Sequence, residues 1–122
     1  MIELLTADTP NGKKISIMLE EIKFDYKLTK ININKDEQFN AEFKKISPFG
    51  KIPVIIDHDA KTSLFESGAI LIYLGEKSGK FYDKGHRTII NQWLMGQMAY
   101  VGPMLGQHHQ FHHYNPGKSE FG

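Results

Sequence analysis

Cysteine is absent from all 122 residues. Its absence excludes disulfides, thiolate metal sites and a cysteine nucleophile. Long apolar runs are missing too: none approaches the roughly 20 residues that a helix needs to cross a bilayer. Charge of one sign is not in excess, with 15 Lys and Arg against 14 Asp and Glu. No large field therefore favours nucleic acid or a membrane surface. The opening stretch, MIELLTADTPNGKK, has neither the basic start nor the apolar centre of a secretory signal. These absences lead us to expect a cytoplasmic protein that binds neither nucleic acid nor membrane. Internal repeats and low-complexity tracts are also wanting. What is present, 40% apolar and 24% charged residues, is the balance of an ordinary globular protein. A chain of this length makes about one domain and buries roughly two-thirds of its unfolded surface.

The apolar pattern sets an order of elements. IELLT (2–6) is a short apolar run and predicts a buried strand. Thr9 is a good helix cap and Pro10 suits the first helical position. Ile15, Met18, Leu19 and Ile22 then recur with helical spacing. DYKLTKINI (25–33) reads as a strand through Tyr26, Leu28 and, after a slip, Ile31 and Ile33. QFNAEFKKI (38–46) predicts a short helix with Phe39, Phe43 and Ile46 on one side. SPFGKIP (47–53) is a loop. VIID (54–57) and TSLF (62–65) read as strands joined by the turn HDAK (58–61). ESGAILIYLGEKSG (66–79) is helical, with Ile70, Tyr73 and Leu74 facing inward and Gly79 as its stop.

The order βαβ, α, ββα predicts one α/β sheet, with parallel strands joined by a right-handed crossover and a hairpin covered by a helix. This is a thioredoxin-like arrangement spanning residues 1–80. Residues 81–86 read as a linker. Helical periodicity resumes at 87 and runs to 114, with Gly102-Pro103 expected to kink or interrupt it. Residues 115–122 look like a loop. One amphipathic segment cannot bury its own apolar face, so Trp93, Met98, Met104 and Leu105 require a partner.

Four stretches carry groups with chemical potential. The TPNG turn lies where a thioredoxin-like fold carries its cysteines. A helix start offers free N–H groups and a positive dipole end, and Thr9 and Asn11 add donors. The turn suits a thiolate brought by a ligand; equally, Thr9 merely caps the helix. In KIP, a cis Ile52-Pro53 bond would present the Ile52 backbone to an extended peptide; a trans proline at a strand start is the alternative. Glu66 and Ser67, opening a helix, suit the ammonium and carboxylate of a γ-glutamyl end, or form an ordinary acidic first turn. His108/His112 and His109/His113 have the i, i+4 spacing of metal-chelating pairs, but no third ligand accompanies them in the stretch, and we expect a polar helix face and no metal site.

Together, TPNG, SPFGKIPVIIDH, LFESGAILIYL and QWLMGQMAYVGPMLGQHHQFHH resemble the glutathione S-transferase superfamily, in particular its bacterial nu class, from Ile2 to about Tyr114. The resemblance implies a glutathione-dependent thiol–disulfide oxidoreductase or glutathione transferase acting on a small-molecule disulfide or electrophile. It implies that Thr9 and Asn11 stabilise the glutathione thiolate. Ile52, with Pro53, would pair with the cysteinyl backbone, Glu66 and Ser67 would hold the γ-glutamyl end, and Gln38 matches a further contact. Two glutathione molecules, or one glutathione disulfide, can occupy the site in this class, and a homodimer is expected. The resemblance departs from the family in one respect. After the thioredoxin-like domain, residues 87–122 cover only the start of the all-helical second domain. The remaining helices would cover Trp93 and supply an electrophile pocket and an arginine that contacts glutathione. A non-catalytic interaction or regulatory module of the same fold, or an inactive fragment, is the competing expectation.

Overall fold

Alternation along the first strand decides how the sheet is buried. In β1 (Ile2–Thr6), Ile2 and Leu4 point to one side and Leu5 to the other, because successive strand side chains alternate faces. All three are buried, so the sheet is covered on both sides. The structure, a computed structural model, describes residues 1–118 and Glu120. It divides into two compact units, Met1–Asp83 and Lys84–Gly122.

The first unit runs β1, α1 (Pro10–Ile22), β2 (Tyr26–Lys30), α2 (Ala41–Lys44), β3 (Val54–Asp57), β4 (Thr62–Phe65) and α3 (Ser67–Ser78). The sheet order is β2-β1-β3-β4. β2 is parallel to β1, with Leu4 opposite Leu28. β3 is antiparallel to β1 and β4 antiparallel to β3. This is the expected thioredoxin-like α/β architecture, followed by a helical segment. One core packs Ile2, Leu4 and Ile55 of the sheet against Ile15, Leu19 and Ile22 of α1 and Ile70 and Leu74 of α3. A smaller core on the opposite face joins Leu5, Val54 and Phe43, the last from α2.

β1, β3, β4 and the capped start of α1 fall where the sequence puts them. The segment between β2 and β3 does not. The strand expected over 25–33 stops at Lys30. Asn32 accepts a hydrogen bond from the Asn34 N–H (3.1 Å), and its own N–H donates to Glu37 (2.6 Å). These local bonds compete with the sheet ladder and wind Ile33–Lys35 into a 3-10 turn. The helix expected over 38–46 splits into a 3-10 turn, Glu37–Phe39, and α2. Asn40, at φ −58° and ψ 141°, is extended and breaks it. Phe43 is buried but Phe39 is exposed. The stretch expected as a linker contributes Tyr82, which is buried, and a 3-10 turn at Lys84–His86.

In the second unit, α4 (Arg87–Gly96) and α5 (Gly102–His109) are joined by a π segment, Gln97–Val101, and a second π segment, Gln110–Tyr114, follows. In an α-helix the ring of Pro103 meets the carbonyl four residues back. Here the register widens just before it: the Gly102 N–H bonds to the Gln97 carbonyl, five residues back. The helix thus passes through the proline by a π segment in place of a break. Of the loop expected over 115–122, residues 115–118 form a bend and turn. Ser119, Phe121 and Gly122 lie outside the described residues.

Candidate active site

Three separate segments of the first unit meet in one cleft of about 260 Å³: the start of α1, the loop before β3, and the β4–α3 junction. They bring Asn11, Ile52, Pro53, Glu66 and Ser67 together, five residues proposed from sequence as ligand contacts. Thr9 and Gln38 are not part of its lining.

The α1 start is a built cap. Thr9 is extended (φ −135°, ψ 158°), and its hydroxyl oxygen accepts from the Gly12 N–H at 3.1 Å. The Lys13 N–H reaches the Thr9 carbonyl at 2.9 Å, and Pro10 has no N–H. The N–H of Asn11 is therefore the amide of this turn that no hydrogen bond among the described residues uses. Asn11 is exposed, and its side-chain oxygen accepts from Lys14 Nζ at 2.7 Å. Its Nδ2 donors are left for a ligand. The turn is tight enough to require glycine: a Cβ on Gly12 would lie 2.6 Å from the Ala7 carbonyl oxygen.

The loop wall is set by a residue the sequence reading passed over. Ser47 is 1% exposed. Its hydroxyl donates to the Lys51 carbonyl (2.7 Å) and accepts from the Lys51 N–H (3.0 Å), closing the loop on itself just before Ile52. The Ile52–Pro53 bond, left open by the sequence, is cis. No hydrogen bond among the described residues uses the Ile52 N–H or carbonyl, so both remain for an extended peptide backbone. Lys51 also lines the cleft and brings a cation to that end. Phe49 and Phe65 line another wall in an edge-to-face pair, with centroids 5.9 Å apart.

The third wall is the uncapped start of α3. Glu66 precedes the helix at φ 72° and ψ 116°, a left-handed conformation that costs a non-glycine residue about 1–3 kcal/mol. No side chain caps this end. The Ile70 N–H takes the Glu66 carbonyl at 3.0 Å, and the preceding amides of Gly68 and Ala69 have no acceptor within the helix. Such amides bind a carboxylate. Gln38 stands apart: its Nε2 donates to the Ile33 carbonyl at 3.3 Å, while its buried Oε1 has no partner among the described residues.

A larger cleft of about 660 Å³ lies between α1 and the edge strand β2. It holds none of the proposed contacts, and three of its charged groups serve the fold: Asp8 pairs with Lys13 at 3.2 Å, and Glu37 holds the Asn32 amide. Among the described residues no three His, Asp or Glu side chains converge as a metal site. His108 and His112 stack with centroids 5.0 Å apart.

Sequence alone does not single out Lys14, Ser47, Lys51 and the Phe49–Phe65 pair. Lys14 has a signal, its i, i+3 spacing from Asn11 on a helix. The roles of Ser47 and Phe65 depend on contacts across loops.

Comparison with known proteins gives consistent matches. The glutathione S-transferase N-terminal domain matches residues 3–76. Disulfide-bond oxidoreductase YfcG of Escherichia coli is 50% identical over 123 residues, covering 95% of this chain and 57% of the relative. A glutathione transferase from Pseudomonas putida, solved with one glutathione disulfide bound per subunit, superposes with a TM-score of 0.91 at 43% identity, over 98% of this chain and 54% of that one. One from Burkholderia graminis, solved with two glutathione molecules per subunit, has a TM-score of 0.89 at 42% identity, over 99% and 52%. The chain spans about half the length of the curated relatives it matches.

Proposed function

The chain belongs to the glutathione S-transferase family, and from that premise we propose that it binds glutathione in the 260 Å³ cleft and uses its thiol in thiol–disulfide exchange or in transfer to an electrophile. The observation that carries this reading is the meeting of Asn11, Ile52, Glu66 and Ser67, from three distant segments, around one cleft. Each wall suits one part of the tripeptide. The free N–H and carbonyl of Ile52, beside Pro53, pair with the cysteinyl backbone as an added strand would. The Gly68 and Ala69 amides with Ser67 receive the γ-glutamyl carboxylate, and Glu66 its ammonium. Lys51 faces the remaining, glycyl carboxylate. Gln38, which the resemblance gives as a further contact, does not line this cleft and its Oε1 is buried, so it takes no part in the binding proposed here.

The reacting sulfur belongs at the α1 start. The Asn11 N–H, its Nδ2 and the Thr9 hydroxyl hydrogen are donors that stabilise a thiolate over a thiol. That thiolate attacks one sulfur of a disulfide. The S–S bond breaks, a mixed disulfide forms, and the departing sulfur leaves as thiolate and takes a proton. A second glutathione thiolate then attacks the mixed disulfide, giving glutathione disulfide and a second reduced thiol. Binding of two glutathione molecules, or of the disulfide, by the solved relatives supports a site that accommodates this exchange.

The same reading makes residues 1–80 the glutathione-binding domain, 81–86 a linker and 87–122 the start of an all-helical domain, with its first, incomplete helix. We assign the chain to the nu class, supported by two disulfide-bond oxidoreductases of E. coli among its relatives. A cytoplasmic location follows from the need for a reduced glutathione pool. A homodimer is supported by the exposed apolar residues of the second unit. Those residues also favour a second reading, an interaction module of the same fold without turnover: Trp93 is 78% exposed.

Titration calorimetry with glutathione and with glutathione disulfide tests the site. Saturable binding is expected, weakened in Glu66→Ala, and Asn11→Ala is expected to lower reductase turnover of a small disulfide by about 100-fold, the lower end of the range for losing one donor to a developing anion. Binding without turnover would favour the interaction module. A folded chain that binds neither ligand would end the glutathione reading.

A further inference from the structure

Asn11 and Lys14 lie three residues apart on α1, a spacing that makes them neighbours on the helix surface. The contact is direct, 2.7 Å from Lys14 Nζ to Asn11 Oδ1. An ammonium carries only donors, so it can meet this amide only at its oxygen. The Nδ2 donors are thereby turned away from Lys14. The lysine itself lines an apolar hollow with Ile17, Met18 and Leu71, where Glu21 also lies. Desolvation there lowers its pKa from the ordinary lysine value. A cation held at partly apolar surface is less screened than one in open water.

We propose that Lys14 is a positioning residue for the reacting thiolate: it fixes the Asn11 amide with its donors toward the sulfur and adds a positive charge one group behind it. The inference rests on the glutathione reading above, which assigns the sulfur to Asn11. Two consequences separate it from a packing role. The Asn11 amide without Lys14 is free to present either its oxygen or its nitrogen, and an oxygen facing a thiolate repels it. The charge of Lys14 also lowers the pKa of a thiol bound nearby. Other charges around this end are Lys13, paired with Asp8 at 3.2 Å, Glu21 in the hollow, and Lys51 and Glu66 across the cleft. Of the described side chains, Lys14 is the one hydrogen-bonded to Asn11.

The test is the pH midpoint at which glutathione bound to the full chain forms thiolate, followed by thiolate ultraviolet absorbance. Affinity for glutathione disulfide, which has no thiol, is measured alongside. The wild-type midpoint is expected below that of free glutathione. Lys14→Met is expected to raise it by about one pH unit, equivalent to about ten-fold less thiolate below the midpoint, while disulfide affinity changes by less than about three-fold. Lys14→Arg, which keeps cation and donors, is expected to restore most of the shift. Lys14→Gln, which loses the charge, replaces the methionine variant if that one melts below the assay temperature. A folded neutral variant that binds glutathione disulfide but keeps the wild-type midpoint overturns the inference and leaves the proposed function standing. A wild-type chain that binds neither ligand, or whose bound thiol titrates as free glutathione does, overturns both.

Discussion

At the scale of single residues, the most committed group in the first unit is not at the cleft. Asp57, the last residue of β3, is fully buried. It accepts from Tyr73 Oη at 2.6 Å and Lys77 Nζ at 2.7 Å. The Asp59 and Ala60 amides each add a bond of 3.1 Å. The Lys77 and Tyr73 bonds hold its carboxyl far below the usual carboxylate range, against burial that pushes it up. A group with a depressed folded pKa contributes stability that is present above its unfolded value, near 4, and is lost as pH falls through the folded value. The chain should therefore lose stability steeply on acidification below about pH 4. Asp57→Asn is expected to cost about 1–3 kcal/mol at neutral pH, the range for weakening hydrogen bonds to a buried charged group whose cationic partner is partly screened by solvent, and to flatten that acid limb. Urea unfolding at pH 7 and pH 3 measures both. This network illustrates what sequence cannot disclose. VIID reads as a strand from its apolar run, yet nothing local marks its aspartate as the partner of residues 16 and 20 positions later. The Thr9 cap, by contrast, is legible because helix capping is a contact between near neighbours.

Elements were legible where one force dominated. β1 and β3 are apolar runs bounded by turn residues, β4 follows β3 across a tight turn, and the limits of all three coincide with the sequence reading. Between β2 and β3 the apolar pattern competes with Asn32, Asn34 and Asp36, residue types whose side chains bond the local backbone and which tolerate left-handed conformations in turns. Asp36 indeed sits at φ 58°, and the expected nine-residue helix shrinks to the four of α2. The contact of greatest consequence for the site is between β1 and α1. Gly12 is buried against the end of β1, where a Cβ would come within 2.2 Å of Thr6 Oγ1 and 2.6 Å of the Ala7 carbonyl oxygen. Thr6 can rotate away, but the backbone oxygen cannot. Gly12→Ala should therefore push the first turn of α1 off the sheet, costing about 1–3 kcal/mol as overpacking does. Because that turn carries the Asn11 amide, glutathione affinity should fall along with the urea midpoint. A variant that is destabilised yet binds normally would place the thiolate donors elsewhere.

At the scale of the whole molecule, the two units differ in what holds them. The first closes its own cores on both faces of the sheet. The second is a helical run from Arg87 to Tyr114 with no buried residue in any of its segments. Trp93, Tyr100, Met104 and Leu105 are each at least 64% exposed. An isolated helix is marginal in water, and most helical stability comes from packing an apolar face. Exposed apolar surface of this kind marks an association site, and the homodimer proposed above supplies a second copy to cover it. Sedimentation velocity over a concentration series should then show reversible dimer formation. Aromatic anchors dominate such interfaces, so Trp93→Lys should weaken association by about ten-fold or more. Glutathione binding should change little in that variant, because the cleft is built from the first unit alone. A wild-type chain that stays monomeric across the series would refute the homodimer. A Trp93→Lys variant that still pairs as wild type would move the interface away from this helix face.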